Sequence, residues 1–469
     1  MRVLVTGATG YIGGRLIPHL LAAGHDVRVL VRDASRIAGR PWRESVDVAV
    51  GNILDRDAMG RALAGVDQAY YLVHSMMTPG FGDIDRQAAT TFVAASPPSL
   101  RNVIYLGGLL PHGEQRSEHL RSRAEVGAIL RASLPALEFR AGPIIGSGSA
   151  SFEMLRYLTE RLPAMIAPRW IENLVQPIAI RDVISYLVLA ATREASGIVE
   201  IGADRLSFRQ MMQTYANVRG LRRRILAVPV LAPRVAGLWV GLVTPIPNRL
   251  AVPIMEGIVE PVIADTAIAG RRFPEIAPIS YREAVVAALR PDLDVETRWS
   301  GALHHTPAYE LSDREGLMRE VRSREVKASP SRVFETFMSL GGDRGWRVWN
   351  LAWKLRGLVD RLIGGPGLRR GRRHGRQLLV GEALDFWRVE AIEPDRMLRL
   401  RAEMKVPGDA WLQWEVAGEG RTSRLVQTAI FAPRGLWGAL YWYALYPLHA
   451  RIFSDLARAI AAEAESLPV

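Results

Sequence analysis

The chain has no cysteine, which excludes disulfides, thiolate nucleophiles and cysteine-based metal sites together. Lysine is almost as scarce: in 469 residues it occurs only at Lys327, Lys354 and Lys405, so arginine carries the formal charge of +12. There is no His-Glu-x-x-His pair and no low-complexity tract. The uncharged, aromatic-rich stretch 435–450, bounded by Arg434 and Arg451, is shorter than the roughly 20 apolar residues that a membrane-spanning helix needs. Basic residues are not interleaved with aromatics on one face, so no nucleic acid is expected as a partner. The first residues read as a strand rather than a basic stretch and an apolar segment. No secretion signal is visible, and a cytoplasmic location is expected, with a membrane-peripheral one as the alternative.

What is present begins at Thr6-Gly7-Ala8-Thr9-Gly10-Tyr11-Ile12-Gly13. Val3, Leu4 and Val5 before it suit a buried strand, and Ile12, Leu16 and Leu20 after it repeat at helical spacing. At such a junction Gly7 permits the tight turn, Gly10 lets backbone approach a pyrophosphate, and Gly13 lets the helix pack on the sheet. The helix N-terminus then turns its N–H groups toward the phosphates. Gly24 stands where a left-handed C-cap belongs, and Asp26–Val31 reads as the second strand. Pro18 removes one helical hydrogen bond and can kink the helix, but its ring meets the carbonyl of Gly14, where no side chain adds crowding. Strand, helix and second strand in this order predict a dinucleotide site. Arg32, helped by Arg36, suits a 2′-phosphate and favours NADP(H) over NAD(H), with Asp33 as the acidic alternative that would take a ribose hydroxyl.

Length favours two domains or more, and 49% apolar with 23% charged residues is an ordinary globular balance. Strand-like runs at 46–50, 68–73, 102–106, 137–141 and Gly197–Ile201 alternate with helical stretches, which predicts a doubly wound parallel sheet over residues 1–305. Residues 205–290 read as helical, proline-broken and substrate-facing. After a polar stretch at 301–313 the rhythm changes, and residues 306–469 read as a second, α+β domain. It has strands at 320–327, 386–392 and 397–404 and a helix from Ser329-Pro330 through Val333, Phe334 and Phe337. A long closing helix places Trp437, Tyr441, Leu445, Leu448, Ile452 and Leu456 on one stripe, with Pro447 a kink. Arg369, Arg370, Arg372, Arg373 and Arg376 among glycines read as a solvated mobile loop, or else as a surface for an anionic membrane or partner.

Several motifs carry a family resemblance: Thr6 to Gly13, Tyr70-Tyr71-Leu72-Val73-His74-Ser75, Tyr105-Leu106-Gly107-Gly108, Leu120-Arg121-Ser122-Arg123-Ala124-Glu125-Val126, and Tyr441-Trp442-Tyr443 ahead of Pro447-Leu448-His449. The first domain resembles an atypical, extended-type short-chain dehydrogenase/reductase related to the NmrA-like and complex I accessory-subunit groups. The second resembles the DUF2867 domain, which is similar to START-type (SRPBCC) helix-grip folds. The resemblance implies phosphate contacts from Gly7, Thr9, Gly10, Tyr11, Ile12 and Gly13, and Arg32 at the ribose end. It implies adenine contacts from Asn52 with Ile53, and a nicotinamide side lined by Leu72, Val73 and His74. An aspartate is commoner where Asn52 stands; its amide both donates and accepts.

The usual serine, tyrosine and lysine of these reductases are missing. The serine position falls near Gly107 or Gly108, and the tyrosine-lysine pair aligns with His119 and Arg123. Arg123 can position a cofactor without relaying a proton, and His119 is a candidate general acid near neutral pH. His74 and Ser75 end the fourth strand, at the edge where ligands of such folds bind. Tyr71 is expected to pack within its strand, and the Tyr157–Arg161 spacing to be coincidence. In the second domain Trp349, Trp353, Phe386, Trp387, Trp411 and Trp414 are candidates to line a site for a hydrophobic small molecule, or else to form plain core. The expected function is an NAD(P)H-binding oxidoreductase acting on an apolar carbonyl or quinone-like compound. The alternatives are a non-catalytic NADP(H) sensor and a peripheral membrane protein handling lipids or quinones.

Overall fold

The computed structural model describes the chain except at residues 38–39, 112–116, 194–195, 229–239, 241–242, 245, 247, 290–308, 315, 343–344, 364–377 and 467–469. It divides into two compact units, Met1–Thr297 and Arg298–Val469. The boundary expected at 305/306 and the arginine cluster at 369–376 lie outside the described residues.

The first unit is built on a seven-stranded sheet: β1 (Arg2–Thr6), β2 (Asp26–Val31), β3 (Asp47–Val50), β4 (Gln68–Tyr71), β5 (Asn102–Gly108), β6 (Ala136–Ala141) and β7 (Gly197–Ile201). Their order is β7-β6-β5-β4-β1-β2-β3, and every pairing is parallel. Val3, Leu4 and Val5 are fully buried because helices cover both faces. On one face α1 (Tyr11–Ala22) brings Leu16, Ile17 and Leu20 into a cluster with Val183, Ile184 and Leu187. On the other, α2 (Arg56–Leu63), α3 (Phe81–Ala95) and α4 (Glu118–Ser133) bring Met59, Leu63, Phe92, Val126 and Leu130 onto Leu4, Tyr71 and Tyr105. Strand order reverses between β1 and β4, so the loops leaving these two strands face each other.

One local reading shifts. Helix α1 runs through Pro18 as expected, with Gly14, which has no side chain, one turn earlier. Strand β4 stops at Tyr71, two residues short of the expected end, leaving Leu72 to Ser75 as irregular backbone. Gly24 takes φ +79°, and bonds from Gly24 N to Leu21 O (3.0 Å) and from His25 N to Leu20 O (3.1 Å) close α1 as a Schellman motif. Within 205–290 the structure adds a strand, Arg224–Val228, paired in parallel with Ala164–Pro168. Helices Ala150–Arg161, Phe208–Val218, Asn248–Gly257 and Tyr281–Leu289 pack there around Phe152, Tyr215 and Tyr281.

The second unit is an antiparallel sheet of β8 (Tyr309–Arg314), β9 (Leu317–Val326), β10 (Ala383–Leu384), β11 (Trp387–Glu393), β12 (Met397–Ala402), β13 (Gly408–Glu419) and β14 (Thr422–Pro433), in the order β8-β9-β14-β13-β12-β11-β10. Helices α5 (Pro330–Met338) and α6 (Asn350–Leu362) separate β9 from β10, and α7 (Gly435–Ser466) follows β14. The core joins Ile452, Leu456 and Ile460 of α7 to Trp346, Trp353, Phe386, Trp387 and Trp414. The face that α7 buries runs through Gly438, Trp442, Phe453, Leu456 and Ile460, while Trp437 and Leu448 of the expected stripe are exposed. Trp442, stacked on Phe431 at 5.6 Å, turns the N-terminal half of the helix away from the expected stripe.

Candidate nucleotide site and the adjoining polar cluster

The turn after β1 is shaped by close approach. Gly7 has φ +76°, and a Cβ there would lie 2.6 Å from the Leu72 carbonyl oxygen across the switch point. A Cβ on Gly13 would lie 2.4 Å from the Gly7 carbonyl oxygen. The Thr6 hydroxyl fastens the two strands, donating to Tyr70 O at 3.0 Å and accepting from Leu72 N at 3.2 Å. Gly10, which has no side chain, stands in extended conformation at the N-cap of α1. A turn that admits no Cβ at Gly7 or Gly13, beside the positive end of a helix, fits a dinucleotide pyrophosphate.

Around this turn lie the other nucleotide candidates. Arg32 and Arg36 are exposed, whereas Asp33 accepts from Ser35 N at 2.9 Å and shapes the short turn Ala34–Ile37. Arg40 was not foreseen: its guanidinium lies 3.8 Å from the Cβ position of Gly14, on the first turns of α1. Nothing in a loop arginine's local sequence marks it for that place. Asn52 accepts from Leu54 N at 3.2 Å, and Ile53 packs against the core, so both are held at the end of β3. Tyr11 lies under the Arg15 guanidinium, 4.1 Å from its ring centre, and Arg15 also donates to Ser147 O at 3.0 Å. Thr9, Tyr11 and Ile12 are half-buried on the turn.

The polar candidates converge at the carboxyl edges of β4 and β5. Ser117 caps α4 by accepting from Leu120 N, which sets His119 in the first helical turn and Arg123 one turn later. The Arg123 guanidinium donates to the Leu106 carbonyl and lies 5.4 Å from the Tyr105 ring centre. Burial, then Arg123, pushes His74 down to about 4. Burial, Arg123 and His74 push His119 down to about 3. The two imidazoles and the guanidinium are therefore close enough to act on one another, and both imidazoles are neutral at pH 7. His119 is half-buried, and His74, though its residue surface is exposed, is surrounded by enough protein for desolvation to lower its pKa.

Beneath this cluster lies Asp85, which local reading overlooked. Burial raises its pKa, opposed by hydrogen bonds from Ser75 and Ser122 and by Arg123. The Ser122 hydroxyl donates to it at 3.2 Å. Ser75 is thus tied to a buried carboxylate, and the signal was there: Asp85 stands on the apolar stripe Phe81, Ala88, Phe92 of α3. Tyr71 packs edge-on to Phe92 and Tyr105, as expected of a strand residue. Tyr157 and Arg161 form their own pair in the helical part, where Arg161 donates to Val243 O at 2.7 Å. In the second unit Trp353, Phe386, Trp387 and Trp414 are core, Trp411 is buried at Glu390, and Trp349 is exposed. Among the described residues no group of three or more His, Asp or Glu side chains is arranged to hold a metal, and no helix is long and apolar enough to cross a membrane.

Both units match known protein families. Residues 7–137 match the family described as NAD(P)H-binding, and residues 315–456 match the protein family of unknown function DUF2867. A ceramide reductase of Caulobacter vibrioides is 27% identical over 48% of this chain and 73% of its own length. A 3-diazoavenalumate denitrifying reductase of a Streptomyces species is 27% identical over 50% of this chain and 88% of its own. A nucleoside-diphosphate-sugar epimerase from Staphylococcus aureus shares the fold with a TM-score of 0.51 at 15% identity, over 61% of this chain and 99% of that one. The chain therefore carries an NAD(P)H-binding domain with a Rossmann-type fold followed by a DUF2867 domain.

Proposed function

We propose that the chain is an NADPH-dependent reductase of an apolar, lipid-like carbonyl or a quinone-like compound, working through His119, His74 and Arg123 in place of the serine, tyrosine and lysine that the family resemblance implies. The observation that carries this reading is the convergence of two neutral imidazoles and a guanidinium at the carboxyl edge of β4 and β5. Bound NADPH supplies the hydride. Gly7, Thr9, Gly10, Tyr11, Ile12 and Gly13 would hold its pyrophosphate, Arg32 and Arg36 its 2′-phosphate, and Asn52 with Ile53 its adenine. Leu72, Val73 and His74 would line its nicotinamide side. Arg123 places fixed positive charge beside the oxygen that gains electrons. His119 hydrogen-bonds that oxygen through one ring N–H and passes the proton on while its other nitrogen takes one from water. A neutral imidazole suits this relay better than an imidazolium, which the neighbouring guanidinium disfavours. Asp85, through Ser75 and Ser122, positions the strand end and α4.

A lipid-like substrate is favoured by the resemblance to a ceramide reductase. The second unit we infer to be START-like, because a strand, two helices, further antiparallel strands and a long packed helix follow one another in that order. Its described tryptophans are mostly core, which supports placing the reacting carbonyl in the first unit. A second reading, binding of NADP(H) without turnover, is favoured by one observation: Tyr71 and Tyr105 are both buried in core and neither offers a proton donor at the sheet edge. NADPH oxidation against a panel of long-chain ketones and quinones separates the two. The reductase reading fails if tight NADPH binding is accompanied by no oxidation with any of them.

A further inference from the structure

We propose that Arg15 is a positioning residue that couples nucleotide binding at the glycine turn to the helical part of the first unit expected to face substrate. The inference rests on the nucleotide reading alone and not on turnover. Arg15 belongs to the second turn of α1, yet its guanidinium lies 4.1 Å from the ring centre of Tyr11, the first residue of that helix. Helical side chains lean toward the N-terminus, and stacking on Tyr11 carries this charge back to the helix end that would take the pyrophosphate. Its other contact leaves the helix. Arg15 donates to Ser147 O at 3.0 Å, 132 residues away.

Tyr11 meets the same loop. A Cβ on Gly146 would overlap the Tyr11 hydroxyl and would lie 2.5 Å from Ile180 Cγ2, so only glycine lets the loop come so near. Phenol and guanidinium thus grip two successive residues, Gly146 and Ser147. These residues lead into the helix Ala150–Arg161. Ser149 N donates to Gly146 O at 3.0 Å, the Ser149 hydroxyl donates to Ile144 O at 2.6 Å, and Gly148 N donates to Glu153 Oε1 at 2.9 Å across the first turn. Phe152 to Leu155 and Tyr157 to Glu160 are all buried, so this helix is enclosed on nearly every side. Near its far end Glu160 accepts from the Tyr215 hydroxyl at 2.8 Å and from Arg219 at 2.6 Å, which ties it to the helix Phe208–Val218. Contacts therefore run without a break from the glycine turn into the helical part.

The sign of the coupling follows from charge. A cation beside a helix N-terminus is opposed by the helix dipole, so the Arg15 guanidinium is held there against that field. A pyrophosphate bound at the same end turns the opposition into attraction and holds the guanidinium, and with it the Ser147 carbonyl, more firmly. By linkage, the loop held through Arg15 raises nucleotide affinity by the same factor, and such couplings are commonly about 5–150-fold.

Hydrogen–deuterium exchange of the full chain, read with and without saturating NADPH, tests this; NADH takes its place if it binds more tightly. In wild type the nucleotide is expected to slow exchange both at residues 7–15 and at residues 146–153. In Arg15→Met it should still protect residues 7–15 at saturation but leave residues 146–153 as they were, with a Kd higher by about fivefold or more. Arg15→Lys, which keeps the charge and a donor, should restore part of the loop protection. Wild-type protection confined to residues 7–15 overturns the proposal. So does an Arg15→Met protein whose loop is still protected at saturation, or whose Kd is unchanged, since the tie to Ser147 is then structural only. A wild type in which neither nucleotide protects residues 7–15 removes the nucleotide reading itself, and this inference with it.

Discussion

Tyr105 and Arg123 are joined twice: the Tyr105 hydroxyl donates to the Arg123 carbonyl oxygen at 3.0 Å, and the Arg123 guanidinium lies 5.4 Å from the centre of the Tyr105 ring. Strand β5 thus holds the second turn of α4 in place, and with it the charge that acts on His74 and His119. Replacing Arg123 with methionine keeps the side chain's length and removes the charge. The His119 and His74 pKa values should then both rise from about 3 and about 4. Proton NMR titration of the imidazole resonances reads this directly, and unmoved values would mean that burial alone sets them.

His119→Gln should lower turnover by about 10²–10⁴-fold if it passes the proton, with the Kd for NADPH within twofold of wild type. A merely structural histidine would change stability and leave kcat alone. Steady-state kinetics with the best carbonyl from the panel, together with NADPH titration by fluorescence, tells them apart.

Acid should destabilise the first unit well before its carboxylates protonate. The folded-state pKa of His119 is about 3 against 6.5 for the free side chain. The unfolded chain therefore binds more protons as pH falls below 6.5, and the stability of the neutral ring is progressively lost down to about 3. Between pH 7 and pH 5 this amounts to on the order of 1–2 kcal/mol. The fall in Tm over that range should shrink in His119→Gln, as differential scanning fluorimetry would record.

Arg32→Glu should weaken NADPH binding by about tenfold or more while changing NADH binding little, since a charge-assisted bond to a 2′-phosphate contributes about 1.5–3 kcal/mol. Arg40→Ala is the companion test, because Arg40 stands beside Gly14 on α1. Titration of both cofactors decides it. An unchanged preference in both variants sinks the assignment to NADPH.

Gly7→Ala should lose about 1–3 kcal/mol of stability and most of its nucleotide affinity, since φ +76° and the Leu72 carbonyl 2.6 Å from the new Cβ both oppose it. Gly24→Ala also sits at positive φ but with open space around it, so it should lose only about 1 kcal/mol and bind NADPH normally. Thermal unfolding and NADPH titration of the pair separate backbone strain from site damage.

Residue order by itself determined the glycine turn, the alternation of strands and helices, the second unit and the buried place of Tyr71. All of these are local: a glycine at positive φ, an apolar strand covered on both faces and a helix of period 3.6 leave their mark within a few residues. Only the tertiary structure decided that Arg123, His74, His119 and Asp85 share one neighbourhood, because the parallel sheet brings β4, β5 and two helices together from far apart in the chain. It also placed Arg40 on α1 and joined Arg15 to the Ser147 carbonyl. Both depend on hydrogen bonds and packing between distant segments, and no local periodicity records those.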